Sequence, residues 1–166
     1  MTTTATPPKG VIHPRPKLQK RSAERNEFLT HIVTTAVEGG IGYWSRASRY
    51  RWGTDDGPFM LRGANPYSWC LLQYDAGPWT DVANEGYPRK VRPSLDPTKG
   101  VWAILDADAI AHAFHLLRKD TENKLACAEV RQSLLAASAS NESGDIDASA
   151  ADLLVQLGLL GDVVFG

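Results

Sequence analysis

Residues 147–166 read DASAADLLVQLGLLGDVVFG, and this stretch decides the architecture. Asp147 is placed to cap a helix that the pattern carries from Ala148 through Phe165. Leu153, Leu154, Val155, Leu157, Leu159, Leu160, Val163 and Val164 cover most of its circumference. A helix apolar nearly all round belongs in a core or in an oligomer interface. Against that background Ser149, Asp152 and Gln156 form one narrow polar strip, with Asp152 and Gln156 one turn apart. A buried carboxylate is costly unless it is paired and hydrogen-bonded. Asp152 therefore requires a cation or several N–H donors. A core polar network, a ligand or catalytic site, and a subunit contact would each supply them.

The second informative stretch is Asn26 to Trp44. Phe28, Leu29, Ile32, Val33, Ala36, Val37, Gly40, Tyr43 and Trp44 fall on one face at 100° per residue, which predicts a helix. Gly39 and Gly40 are unfavourable inside a helix, by about 1 kcal/mol each. They mark either its end or a close approach of another backbone, and the apolar last helix, through Gly158, is the expected neighbour. Glu38 lies just before them, at a helix C-terminus where the dipole disfavours negative charge. A compensating partner is expected from Arg46, Arg49 or Arg51, either as a salt bridge or in a site where Glu38 acts as base or ligand.

Between these helices the chain reads as strand. SRASRYRW (45–52), YSWCLLQYD (67–75) and VWAIL (101–105) are short, aromatic and β-rich, and are joined by Gly- and Pro-rich connections. One connection, after Asp75, is about 25 residues long and carries Trp79 and Tyr87; a loop of that length usually has a function or lacks fixed structure. Beyond it, Asp106 is an N-cap with Leu105 and Ile110 as a hydrophobic staple. Ile110, Ala113, Phe114 and Leu117 make an apolar face, and residues 121–139 form a weaker alanine-rich helix. The expected fold is α+β: a single domain over residues 26–166 with an N-terminal helix, a small antiparallel sheet, and three C-terminal helices packed on one face.

The chain has 166 residues, 43% hydrophobic and 22% charged, with a net charge of −1. This excludes a collagen-like repeat, a strongly disordered chain and a supercharged nucleic-acid binder. No apolar run reaches membrane-spanning length, and the N-terminal segment has no apolar core of a secretory signal. Charge is polarised along the chain. Residues 1–25 hold six basic residues against Glu24, and residues 120–166 hold eight acids against Lys124 and Arg131. The first segment reads as a basic, Pro-rich, flexible arm. Arg15, Lys17, Lys20 and Arg21 are its candidate contacts with nucleic acid, with the acidic C-terminal part as the alternative partner.

Other candidates carry less. Cys70 and Cys127 are far apart and outside any C-x-x-C pair, and read as reduced thiols. His112 and His115 lack an obvious third ligand and read as surface residues, so no metal and no cofactor is expected. Among five tryptophans, Trp44, Trp69 and Trp102 lie in predicted elements, whereas Trp52 and Trp79 lie in or beside loops and are candidate macromolecule contacts. Gly39, Gly40 and Gly42 do not make G-x-G-x-x-G, and P-loop, H-E-x-x-H and G-x-S-x-G motifs are absent.

The segments TTAVEGGIGYWS (34–45) and SAADLLVQLGLLGDVVFG (149–166) resemble a family of small phage and prophage proteins, especially of actinobacteria. That family pairs EGG-x-x-YW with a D-x-x-VQ-x-x-x-x-G-x-x-VYG ending. The match falls on Glu38, Gly39, Gly40, Tyr43 and Trp44, then on Asp152, Val155, Gln156, Gly161, Val164 and Gly166. Phe165 departs from it, as does the basic arm. The resemblance implies a phage-type accessory protein in a bacterial cytoplasm and transfers no activity. Together with the residues, it supports an oligomeric protein that binds a host or phage macromolecule, most readily a protein. The rivals are a small enzyme or nucleotide binder using Glu38, Tyr43, Arg49, Asp152 and Gln156, and nucleic-acid binding through the arm.

Overall fold

The computed structural model describes the backbone of residues 3–5, 11–12, 21–51, 59–61, 69–74 and 101–166, and the side chains of residues 21–47, 72 and 105–166. Among these the chain is mainly helical. Four α-helices have thirteen residues each: α1 (Ala23–Thr35), α2 (Ala107–Lys119), α3 (Ala128–Ser140) and α4 (Ala148–Leu160). The strands are β1 (Thr3–Ala5), β2 (Val11–Ile12), β3 (Ser45–Arg51), β4 (Phe59–Leu61), β5 (Trp69–Tyr74) and β6 (Val101–Asp106). β5 pairs antiparallel with β3 and with β6, with a register shift in β3 between Ala47 and Arg49. Two pairings are parallel instead, β2 with β6 and β1 with β4.

Side-chain chemistry sets the helix starts. The Ser22 hydroxyl accepts from Arg25 N at 3.1 Å, so α1 begins before the apolar periodicity does. Asp106 Oδ1 accepts from Asp108 N and Ala109 N, and Asp147 Oδ1 from Ala150 N. Both are the caps expected from the sequence. The alanine-rich helix starts at Ala128 rather than 121. The Asp120 carboxylate draws Lys124 N (2.8 Å) and Leu125 N (2.9 Å) into a turn, with Asn123 at φ 53°, and this delays it.

The helix ends depart further from expectation. α1 gives way to a wider π-helical turn, Ala36–Gly40, and then a 3-10 turn, Ile41–Tyr43. The glycines are there because α4 passes close by. A Cβ on Gly40 would stand 2.5 Å from the Ala148 carbonyl oxygen and 3.3 Å from Asp152 Cβ. Gly158, expected against this same segment, instead lies against Ala109 of α2. α4 stops at Gly161, whose φ of 83° makes a left-handed C-cap, so the chain turns back instead of continuing helically to Phe165.

The core is one cluster. Phe28, Leu29, Ile32 and Val33 of α1 meet Ile110, Ala113, Phe114 and Leu117 of α2 and Leu154, Val155, Leu157 and Leu159 of α4, with Leu72 and Leu105 from the strands. α4 lies at its centre, consistent with its apolar circumference. α3 is peripheral, with Leu134 and Ser138 as its buried residues.

The basic arm requires a correction. Arg21 and Arg25, placed in a flexible segment by composition, belong to the folded body. Arg21 NH1 makes an ion pair with Asp108 Oδ1, and Arg25 lies within α1. Composition does not register the Ser22 cap, which starts α1 and brings Arg25 into it. Among the described residues no helix is long and apolar enough to cross a membrane.

Candidate functional site

Asp152 lies in the second turn of α4 and is 9% exposed. Two of its partners come from the turn after α1. Trp44 Nε1 donates to Oδ1 at 2.7 Å and the Tyr43 hydroxyl donates to Oδ2 at 2.8 Å. Gln156, fully buried and one turn along α4, donates through Nε2 to Oδ2 at 3.0 Å. Gln156 also holds the returning chain: Oε1 accepts from Val164 N (2.8 Å) and Phe165 N (2.7 Å), while Nε2 donates to Phe165 O at 2.8 Å. The Phe165 ring stacks on Trp44, centroids 4.8 Å apart and planes 6° apart.

Proton counting resolves the overlapping contacts. The Gln156 amide has two hydrogens, one for Asp152 and one for Phe165 O. The Tyr43 hydroxyl has one, and it goes to the nearer and charged acceptor, Asp152, rather than to Phe165 O at 3.1 Å. Every partner of the carboxylate in this cluster is a neutral donor.

Tyr43 is 61% exposed, but its hydroxyl turns inward. Loss of solvent first, then the hydrogen bond to Asp152 and its charge, push the Tyr43 hydroxyl up to about 12 from 10.0. Between these values the unfolded chain loses the phenolic proton and the folded chain keeps it. The stabilisation is therefore complete below pH 10.0 and is lost as pH rises through about 12. The urea midpoint of the protein should fall across this window, and Tyr43→Phe should flatten the fall. Parallel profiles for the two proteins would refute the assignment.

Of the residues singled out from sequence, Tyr43, Asp152 and Gln156 converge. Glu38 does not. It sits exposed on the π-helical turn, with no hydrogen bond or ion pair among the described residues. A dipole penalty at Glu38 needs a regular helix end, whereas the chain there widens into a π-helical turn on which Glu38 is exposed to water. Arg49 lies opposite Leu71 in the β3–β5 ladder, and its side chain is outside the described residues. Trp52, Trp79, Arg15, Lys17 and Lys20 also lie outside them, and Arg21 is taken by Asp108. His115 is exposed with its ring 6.0 Å from that of His112. Among the described residues no group of three or more His, Cys, Asp or Glu could hold a metal ion.

A second polar cluster was not anticipated. Arg25 NH1 donates to Ser138 O (2.7 Å) and Asn141 Oδ1 (2.9 Å), and NH2 donates to Ser138 Oγ (2.8 Å). The guanidinium lies 4.8 Å from the Phe28 ring centroid and 5.5 Å from that of Phe114. It thereby caps the C-terminus of α3 with a cation. No local motif announces this contact, because its two sides are 113 residues apart.

The fold and its polar centre together define a small, mainly helical protein whose returning C-terminal segment is clasped to the turn after its first helix. Comparison with protein-family models, with curated proteins and with solved structures gives no match.

Proposed function

We propose that the protein acts by binding a host or phage macromolecule, as an accessory protein of the bacterial cytoplasm with no catalysis of its own. The observation that carries this reading is the occupation of Asp152. A general base or nucleophile needs a lone pair facing a substrate. Here three internal donors converge on the carboxylate: Tyr43 and Trp44 tie α4 to the turn after α1, and Gln156 also holds the returning chain. Glu38, its intended co-catalyst, stands apart in solvent. The enzyme reading thus loses both acids. The residues carrying the phage-family resemblance are largely those of the clasp, which favours a shared fold over a shared reaction. We further infer an α+β arrangement in which the strands form a small, largely antiparallel sheet with helices on one face, since α1, α2 and α4 all meet β6.

The binding surface we favour is the groove between α3 and α4. It has a volume of about 340 Å³ and is lined by the apolar Val130, Leu134 and Leu153 together with the acidic Asp145 and Asp147. Val130 is 38% exposed. A lining that combines apolar and acidic side chains fits a protein partner that presents an apolar side chain flanked by lysine or arginine. The net negative charge of residues 120–166 would steer such a partner.

A photoreactive residue at Ser133 tests this. The expected result is one discrete adduct with a protein, abolished by Val130→Asp, while a probe at Glu38 gives none. The aspartate falls in the first turn of α3, where the helix dipole tolerates it. An adduct between two copies of this chain would establish the homo-oligomer. Absence of any adduct, or one indifferent to Val130→Asp, would overturn the assignment.

A further inference from the structure

A cavity of about 580 Å³ opens between α1, α2 and α3, lined by Arg25, Arg118, Leu135, Ser138, Ala139 and Asn141. That is the size of a small-molecule site. Two of its six lining residues are arginines and none is acidic. Of the neighbouring charges, Arg21 is paired with Asp108. Arg25 has no ion pair among the described residues: its bonds go to a carbonyl, an amide oxygen and a hydroxyl. Arg118 is exposed, and its guanidinium has no hydrogen bond or ion pair among the described residues. Burial, then the charges of Arg118 and Arg21, lower the Arg25 pKa, as an uncompensated cation requires.

The remaining donors point to the kind of ligand. Arg25 uses three N–H groups of five, so an NH2 hydrogen and Nε–H remain. Asn141 accepts through Oδ1, which leaves its amide NH2 to donate, and the Ser138 hydroxyl accepts from Arg25 and retains its own hydrogen. Leu135 and Ala139, one turn apart on α3, supply an apolar wall.

We propose that this cleft binds a dianionic phosphate group, carried by a small molecule of nucleotide size whose apolar part rests on Leu135 and Ala139. Two guanidiniums match the charge of a phosphate monoester and its oxygens match their N–H forks. The site is separate from the α3–α4 groove and stands whether or not that groove takes a partner.

Calorimetric titration of the full chain tests it, with inorganic phosphate and with a nucleoside monophosphate as probes. Saturable binding is expected in the millimolar range or tighter, weakened about tenfold or more by Arg118→Ala. Arg118→Ala should leave the melting temperature unchanged, because that guanidinium holds nothing together. Arg25→Lys keeps the charge but not the fork, and should also weaken binding. Phosphate binding as well as the nucleotide would mean that the head group alone is read. A nucleotide preference would place its ring on the apolar wall. Either outcome supports the site. No binding of either probe, or binding indifferent to Arg118→Ala, overturns it.

Discussion

Asp152→Ala should lower the stability of the protein by about 3–4 kcal/mol, a large part of the roughly 5–15 kcal/mol that holds a domain of this size folded. The estimate follows from what each donor would face. Trp44 is 8% exposed, so its indole N–H, which has Asp152 at 2.7 Å, would lose its charged acceptor in a site that water barely reaches. Gln156 keeps its bond to Phe165 O but loses one hydrogen's acceptor in a fully buried position. Tyr43 loses least, because its exposed ring allows the hydroxyl to be hydrated. Asp152→Asn should be intermediate: its oxygen still accepts from Trp44, while its NH2 meets two other donors. Trp44→Phe in the Asp152→Ala background should recover part of the loss, since it removes the orphaned donor, and the double-mutant cycle should show coupling of about 1–3 kcal/mol. Urea denaturation of the parent, of Asp152→Ala, Asp152→Asn and Trp44→Phe, and of the double variant decides. A loss below about 1 kcal/mol for Asp152→Ala would mean that the carboxylate is dispensable to the fold, and would reopen the case for a site in which it serves a ligand.

That clasp was half legible. A polar pair on an otherwise apolar helix is a local signal, and it located Asp152 and Gln156, with Tyr43, without any knowledge of packing. Its other half was hidden because the apolar pattern runs on past Gly161 through Val163 and Val164. A single glycine at the left-handed C-cap reverses the chain, and Val164 and Phe165 then become Gln156's partners instead of helix surface. The caps at Asp106 and Asp147 were legible for the same local reason, since a cap bonds within three residues. Glu38 misled because the dipole argument needs a regular helix end, and a π-helical turn is decided by what packs on it. The arginine cleft was illegible altogether. Arg25, Arg118 and Ser138 lie on three different helices, and nothing in the spacing of one helix specifies what its neighbours carry.

Gly158→Val should be the most damaging substitution in the helical body, with a loss of about 3 kcal/mol or more and a fall in soluble yield. Gly158 is buried at the crossing of α4 with α2. A Cβ there would overlap the Ala109 carbonyl oxygen and stand 2.9 Å from its carbon. The obstacle is backbone in the first turn of α2, which cannot rotate aside as a side chain can. Ala109 N is itself held by the Asp106 cap, so α2 moves as a unit or the cap breaks. Moving it opens the contacts of Ile110, Ala113 and Phe114, all fully buried. Gly158→Ala separates the two opposing effects. Alanine gains about 1 kcal/mol of helix propensity over glycine, yet the protein should still lose stability, because close-packed helices cannot absorb a methyl group at that distance. Gly42→Ala is the matched control, since a Cβ there meets nothing within 4 Å, and it should be neutral or slightly stabilising. Melting temperatures of the three variants give the ranking. A Gly158→Ala protein as stable as the parent would mean that α2 and α4 are free to separate, and that the single core built around α4 is not the unit that folds.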